Sequence, residues 1–427
     1  MKSGLKIIHW IVLLWLLVTI LRFDLIINYL SLIISYIGLL FTNASSALNV
    51  LSFSLVDASL STLLFLLIVP LILFFRNRLP FLKSKLNFFF AFSVVLVFVF
   101  LFAPIITNEN PEFSKNLAVT KLLPPLSTVK QLELKSDKTQ NSSDAEEFII
   151  KLEQIIKPSF NDKIILADSV VLAERVIYFQ KSEALEIEKE KLIDKEGHII
   201  IKEKYFLLGT DEFGRDLFSR LIYGTRISLT VGICAVILSF IIGIILGFIA
   251  GYRGGLLDIF LNRFTEIFLA FPVIYLVVLI LALFGSSIIS VIIVLGISGW
   301  MSLFKIVKSE VLSIKQKDFF STAELVGLKK SQLLIKEILP VILVPVLVNL
   351  VFLFSNVVLA EAALSYLGLG TGNSYPSWGS MISSGQEYIT KAWWLIAFPG
   401  LGLIFTIYTF NSSGRMLVKL FNPRLKE

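Results

Sequence analysis

The chain has 427 residues, 56% of them hydrophobic, and a mean hydropathy of +0.83, which excludes a soluble domain of this size. Its apolar runs are continuous rather than alternating and reach the roughly 18–20 residues that cross a bilayer core of about 30 Å, so spanning helices are expected and a barrel is not. The net charge of +7 hides an asymmetry: residues 107–206 sum to −3, and the remainder, at +10, carries its basic residues beside apolar spans, a topology signal and not a nucleic-acid surface.

Residues 1–85 read as an additional N-terminal transmembrane region. Residues 5–21 either span or pair with 25–41, with Arg22 and Asp24 between them. Residues 58–75 give a clearer span that runs into Arg76, Arg78, Lys83 and Lys85. No small-residue cleavage site closely follows the first apolar run, so it reads as a mature membrane segment rather than a signal peptide. Two spans here put the N-terminus inside and three put it outside; Lys2 and Lys6 favour inside.

Residues 86–106 form the next span, with basic residues before it that place its start in the cytoplasm. The acidic segment 107–206 then falls on the outer side. It carries Pro124-Pro125, strand-like runs at 164–172 and 198–201, and a turn signal at Glu196-Gly197. It reads as a small extracytoplasmic α+β insertion, with a partly ordered loop as the alternative.

Residues 207–427 hold five further predicted spans. The first, 229–250, ends at the turn Gly251-Tyr252-Arg253-Gly254-Gly255; the second, 264–284, is kinked by Pro272; the third is 287–304. Residues 305–340 are basic and cytoplasmic, 341–360 leads out, 361–392 is an outer segment containing Glu361, and 393–410 returns to a basic tail. Within the cytoplasmic segment, residues 318–340 read as a short helix, a break at Gly327, and an amphipathic helix from about Lys330 to Leu339 that Pro340 stops. Such an elbow is either an inert interfacial turn or a knob that fits a groove on a cytoplasmic partner.

The run LGTDEFGRDLFSRLIYGTRISL, residues 208–229, holds three arginines, two aspartates and three glycines at a membrane entrance. Gly209, Thr210, Asp211, Gly214, Arg215, Asp216, Ser219, Arg220, Gly224, Arg226, Ser228 and Leu229 stand at fixed spacing. With the 318–340 loop, this run resembles the permease subunits of bacterial binding-protein-dependent ABC importers, and within them the C-type permease of the oligopeptide, dipeptide and nickel group. Further positions agree in order: Gly251, Tyr252, Gly254 and Gly255; Ala270, Phe271 and Pro272; Leu364, Ser365 and Leu367 to Gly370; Pro376 to Gly379; Pro399 and Gly400. The resemblance spans residues 86–427 apart from the insertion.

The resemblance implies an all-α polytopic fold: a six-helix type I importer permease core, made of 86–106 and 207–427, to which the extra N-terminal helices and the insertion are added. It implies that the 305–340 segment is a coupling loop docking on an ATPase, through Ala323, Gly327, Ile338, Leu339 and Pro340. Ser321 stands where the family has Glu and Thr322 where it has Ala; in the tail, Arg415, Lys419 and Asn422 replace acidic residues. The implied partners are a second permease in a heterodimer, two cytoplasmic ATPases, an extracytoplasmic solute-binding protein and the lipid bilayer. The sequence has no GxxxxGKS/T phosphate loop, so ATP and Mg are expected on the partner subunits and no cofactor on this chain. The implied location is the bacterial inner membrane, with both termini cytoplasmic.

Asn349 and Asn356, polar positions in the fifth core span, are candidates to face the solute path; an interhelical hydrogen bond is the alternative. The chain has two histidines and one cysteine, so no disulfide or cysteine metal cluster is expected. A rival reading is a membrane-embedded enzyme with its chemistry in the insertion. Its one cluster, His198 with Glu196 and Asp194, has neither metalloprotease spacing nor a nearby nucleophile with an orienting partner.

Overall fold

The computed structural model describes residues 6–75, 88–107, 110–135, 144–156, 164–181, 183–195, 198–325, 332–370 and 376–421. It divides into two compact units, residues 1–226 with 384–398, and residues 227–383 with 399–427.

The first unit opens with α1 (Ile7–Leu21), α2 (Phe23–Thr42), α3 (Ala44–Val50), α4 (Phe53–Phe75) and α5 (Phe88–Ile106). Polar side chains set the register of α1, α4 and α5. Trp10 Nε1 donates to the Ala91 carbonyl (3.2 Å), Trp15 Nε1 to that of Phe65 (2.8 Å), and Ser61 Oγ to that of Leu101 (3.0 Å). Hence α1 and α5 run in one direction and α4 runs against both. Between them Phe65 meets Phe98 and Phe102 edge-on, at centroid distances of 6.0 and 5.2 Å, a favoured aromatic geometry.

The insertion begins with the short helix α6 (Leu117–Thr120), then β1 (Ser127–Glu133) and the amphipathic α7 (Asp144–Ile156). Antiparallel β2 (Ile164–Ala167), β1 and a later strand, residues 201–206, make one sheet in that order. A meander of β3 (Ser169–Leu172), β4 (Val176–Gln180) and β5 (Glu183–Ile187) makes a second. The two-residue strands β6 (Asp194–Lys195) and β7 (His198–Ile199) pair before the chain enters β8 (Ile201–Phe206). The run 164–172, expected as one strand, is two strands in different sheets. Asp168 separates them: its carboxylate accepts the Lys181 backbone N–H (2.6 Å) and takes the chain out of the first ladder. The predicted turn at Glu196-Gly197 lies outside the described residues.

Helix α8 (Leu217–Arg253) starts in the first unit and continues into the second. There follow α9 (Gly255–Ala270), α10 (Val273–Phe284), α11 (Ile288–Lys315), α12 (Asp318–Leu325), α13 (Leu339–Tyr366), α14 (Trp378–Gly385) and α15 (Trp394–Phe421). The predicted kinked span 264–284 is instead two helices meeting at 84°. Pro272 forces the preceding Phe271 into extended backbone (φ −90°, ψ 139°) and cannot itself donate into a continuing helix.

Six of the described helices are long and apolar enough to cross a bilayer, and seven if α9 and α10 count as one broken span. The protein is a multi-pass membrane protein. Helices α4, α8, α11, α13 and α15 overrun the predicted spans because hydropathy marks the hydrocarbon thickness, whereas backbone hydrogen bonding continues past it.

Close packing of α8 on α11 depends on three glycines one turn apart. A Cβ at Gly243, Gly247 or Gly251 would stand 3.1, 2.8 or 3.0 Å from the carbonyl oxygens of Trp300, Phe304 and Lys308. Helices in lipid gain their association from such near-backbone contact, since burying Leu against Leu gains little there over Leu against lipid.

Candidate functional site

The glycine-rich run folds into a loop, residues 209–216, laced to the residues around α6. Gly209 (φ +82°) and Gly214 (φ +71°) are left-handed, a conformation strained for other residues. Thr210 is buried. Its backbone N–H donates to the Leu123 carbonyl (3.0 Å), and its hydroxyl accepts from Leu123 N–H (2.8 Å) while donating to the Thr120 carbonyl. Leu122 N–H donates to the Asp211 carbonyl (3.1 Å). From the far end of the chain, Trp394 Nε1 donates to the Thr210 carbonyl (3.2 Å). Gly214 faces Thr120, whose Cβ would lie 2.9 Å from an added Cβ.

Five charged residues converge on this loop. Asp211 accepts through Oδ1 from the backbone N–H of Phe213 (2.9 Å) and Arg215 (2.8 Å), and through Oδ2 from Arg215 Nε (2.7 Å). Glu112, from outside the motif, accepts from Arg215 Nη1 and Arg220 Nη1, each at 2.8 Å. Arg220 Nε is also 3.4 Å from Asp211 Oδ2. Glu212 lies beside them with its pKa raised, first by burial and then by the Asp211 charge. Its Oε2 has no hydrogen-bond partner among the described residues. Asp216 caps α8, accepting the Ser219 N–H at 2.8 Å; burial pushes its carboxyl up while the Ser219 hydrogen bonds pull the other way. Ser219 and Gly224 are buried in α8. Arg226 makes a two-pronged ion pair with Asp57 of α4, at 2.6 and 2.7 Å.

The positions called alike in sequence therefore divide by role. Gly209, Thr210, Asp211, Gly214, Arg215, Asp216 and Arg220 form one hydrogen-bonded loop, and Arg226 reaches the N-terminal helices instead. Glu112 and Asp57 escaped the sequence reading: each pairs with a residue more than a hundred positions away. The arrangement anchors; every carboxylate oxygen named above except Glu212 Oε2 is engaged by a donor. No group of three or more His, Cys, Asp or Glu side chains among the described residues could hold a metal. Of the His198 cluster, Asp194 and His198 lie on the β6–β7 pair, where only the backbone is described, and Glu196 is outside the described residues.

The second unit has a polar clasp of its own. Glu361, expected in an outer segment, lies on α13 because that helix continues to Tyr366; it is fully buried. It accepts from Ser228 Oγ (2.9 Å) and Ser365 Oγ (2.7 Å). Ser377 Oγ bonds Ser365 Oγ (3.2 Å), and Trp378 N–H donates to Ser228 Oγ (3.4 Å). Three serines and one glutamate thus tie the start of α14 to α8 and α13. An added Cβ at Gly379 would meet Ala362 Cα at 2.7 Å, so only glycine allows this approach. The Glu-x-x-x-Ser spacing, one helical turn, was the available signal.

In the predicted coupling segment, α11 continues to Lys315 and α12 follows directly. Gly327 lies outside the described residues. Where an α-helix from about Lys330 to Leu339 was expected, residues 333–338 form a π-helical turn that runs into α13. Pro340 does not stop a helix here. It sits in the first turn of α13, where its missing N–H costs little, and that same missing donor leaves the Lys336 carbonyl without an α-helical partner and favours the wider turn. Leu333 and Ile338 are buried with Phe320 of α12, Val311 and Ile314 of α11 and Ile342 of α13; Ala323 and Leu339 pack against them. Phe319 and Leu325 point outward, Leu325 at 88% exposure. Lys315 Nζ donates to the Tyr252 carbonyl (2.9 Å), and Lys308 Nζ pairs with Asp258 (2.5 Å). On α13, Asn356 is exposed, and Asn349 is half-buried with its Oδ1 unpartnered among the described residues.

Six described helices are thus long and apolar enough to span a bilayer, and α12 and the 333–338 turn lie in sequence between two of them, α11 and α13. The family of binding-protein-dependent transport system inner membrane components matches residues 243–427. A putative peptide transport system permease protein of Brucella suis biovar 1 is 39% identical over 220 residues, covering 52% of this chain and 74% of that protein. The oligopeptide transport system permease protein OppC of Escherichia coli K12 is 39% identical over 216 residues, covering 51% and 72%. One chain of the inward-facing MetNI methionine ABC transporter matches more weakly, at 17% identity and a TM-score of 0.40 over 48% of this chain and 96% of its own. The chain belongs to the permease family of binding-protein-dependent ABC importers. The rival reading as a membrane-embedded enzyme has no support beside that membership.

Proposed function

We propose that this chain is the transmembrane permease subunit of an ATP-driven importer for peptides or a related small solute. Relatives named as peptide permeases support the solute class. The observation that carries the mechanism is the shared hydrophobic cluster of α12, the 333–338 turn, α11 and α13. Because these pieces pack as one body, a push on α12 is transmitted to two spanning helices, while Phe319 and Leu325 remain available to a partner.

In this reading the 305–340 segment is cytoplasmic, as are both termini, and α12 with Gly327 docks on an ATPase. A second permease completes a heterodimer, and two ATPases beneath it bind ATP and Mg. A solute-binding protein delivers its cargo from outside to a path flanked by Asn349 and Asn356. Closure of the ATPase pair on ATP moves α12 and rocks the spans between inward- and outward-open states.

Leu325→Glu tests this reading. Leu325 is 88% exposed, so folding and membrane insertion are expected unchanged, while co-purification of the ATPases and solute uptake fall together. Full ATPase recruitment by that variant, and by Gly327→Arg, would refute the docking assignment.

A further inference from the structure

Helix α2 has the length and composition of a membrane span: 20 residues and one charge, Asp24. Its neighbours say that it does not cross. The three helices α1, α4 and α5 form a ruler. Trp10 of α1 is level with Ala91 near the start of α5, and Arg22 at the end of α1 donates through Nη2 to the Ile106 carbonyl (2.8 Å) at the end of α5. So α1, at 15 residues and about 22 Å, rises beside the 19 residues and about 28 Å of α5, end to end. Lys6 and Arg22, long enough to reach the interfaces, bracket the shorter helix. At the upper end, Asp57 near the start of α4 pairs with Arg226; at the lower end, α4 runs on into Arg76 and Arg78 in the sequence.

Helix α2 therefore begins at the upper end, and α4 begins there too. Had α2 crossed back, its second half would lie against the lower halves of α4 and α5. Instead Tyr29 Oη donates to the Pro104 carbonyl (3.1 Å), and Leu32 and Leu39 pack on Ala47 of α3, Leu55 in the first turn of α4, and Phe148 and Leu152 of α7. Lys151 of α7 donates to Ser35 Oγ (2.8 Å). The middle and end of α2 are thus held by the insertion and by the beginning of α4.

The other face of α2 is bare and apolar: Ile27, Ile34, Ile37 and Phe41 follow one another at helical spacing, 46, 69, 46 and 88% exposed. Before the break in helical backbone at Arg22 (φ −124°, ψ 21°), the crossing helix α1 likewise exposes Leu13, Leu17 and Ile20, which lipid covers. We infer that α2 is an amphipathic helix lying in the extracytoplasmic interface of the bilayer. Its outer face is covered by lipid of the outer leaflet, and its inner face holds α7, which ties the insertion to the membrane surface. Crossings before the insertion are then α1, α4 and α5. The sidedness rests on the orientation proposed above.

The test uses the full chain expressed with its partner subunits, in a Cys234→Ala background that leaves no other thiol. Asp24→Cys and Thr42→Cys mark the two ends of α2, both exposed, and are treated with a membrane-impermeant maleimide in spheroplasts. Equal labelling of both, before and after permeabilisation, is the expected result. One end labelled only after permeabilisation would show that α2 crosses and overturn the inference. Both ends labelled only from inside would instead refute the proposed orientation, and the outer-leaflet assignment with it. Gly38→Cys, where an added Cβ meets nothing within 4 Å, then carries a nitroxide on the bare side. Collisions with oxygen at headgroup depth are expected. Contact with an aqueous nickel chelate alone, or burial at the bilayer centre, would overturn the lipid assignment.

Discussion

Removing the Arg220 side chain should expose how the family loop is held. The guanidinium is buried, donating to Glu112 Oε1 at 2.8 Å and to the Pro111 carbonyl at 3.2 Å, with Asp211 at 3.4 Å. Breaking a buried ion pair by deleting one partner costs about 3–5 kcal/mol when the other charge is stranded. Here the loss should be smaller, because Arg215 still engages both carboxylates and the Glu112 side chain is 32% exposed. We expect Arg220→Ala to cost about 2–3 kcal/mol, within the range for lost hydrogen bonds to charged groups. Glu112→Gln alone should cost about 1–2 kcal/mol, since the amide keeps one acceptor but leaves the two arginines only Asp211, with Glu212 at 3.9 Å from Arg215, as charged partners. The two changes share a contact, so the double variant should lose about 1 kcal/mol or more less than the sum. The assay is thermal unfolding of the full chain in nanodiscs at one fixed scan rate, with all four members of the cycle measured together. Strict additivity would refute the claim that Glu112 closes this network.

Other outcomes follow from single sites. Glu361→Ala should leave the hydroxyls of Ser228 and Ser365 without their buried acceptor and cost about 1–3 kcal/mol, whereas Glu361→Gln, which keeps a carbonyl oxygen, should cost clearly less; equal melting of the two variants would count against the clasp. Gly247→Leu should push α8 from the α11 backbone and lower thermal stability sharply, while Gly400→Ala, with nothing within 4 Å, should be neutral or slightly stabilising. Glu212 has a raised folded-state pKa, so its ionisation opposes folding: that stability is present at acid pH and lost as pH rises through the folded pKa. Glu212→Gln should accordingly melt higher than the parent at neutral pH, with the gain fading as pH falls toward about 4, the ordinary glutamate range. A gain that grew toward acid pH would reverse the assigned sign.

Much of this protein is local in origin and so was legible in sequence. Continuous apolar runs must become helices in lipid, since no water is there to satisfy a backbone left open. The glycines of the 208–229 run stood out by their fixed spacing, and the structure shows the reason at two of them, since Gly209 and Gly214 take positive φ. The proline at 272 announced a kink and not the break into two helices at 84°, because a proline removes a bond without saying where the chain goes next. The three-glycine spacing along α8 was present in the sequence as well, but a glycine reads as a packing site only when its partner is known.

What tertiary structure alone decided were the partners at long range. Nothing near Arg226 in sequence points to Asp57, and nothing near Arg220 points to Glu112, because a charge meets its counterion through the placement of whole helices. The same holds for α2. A twenty-residue apolar helix satisfies its own backbone equally well inside a bilayer or along its surface, so local chemistry leaves the two states open. Only the neighbours that meet its middle and end, α7 and the first turn of α4, select between them.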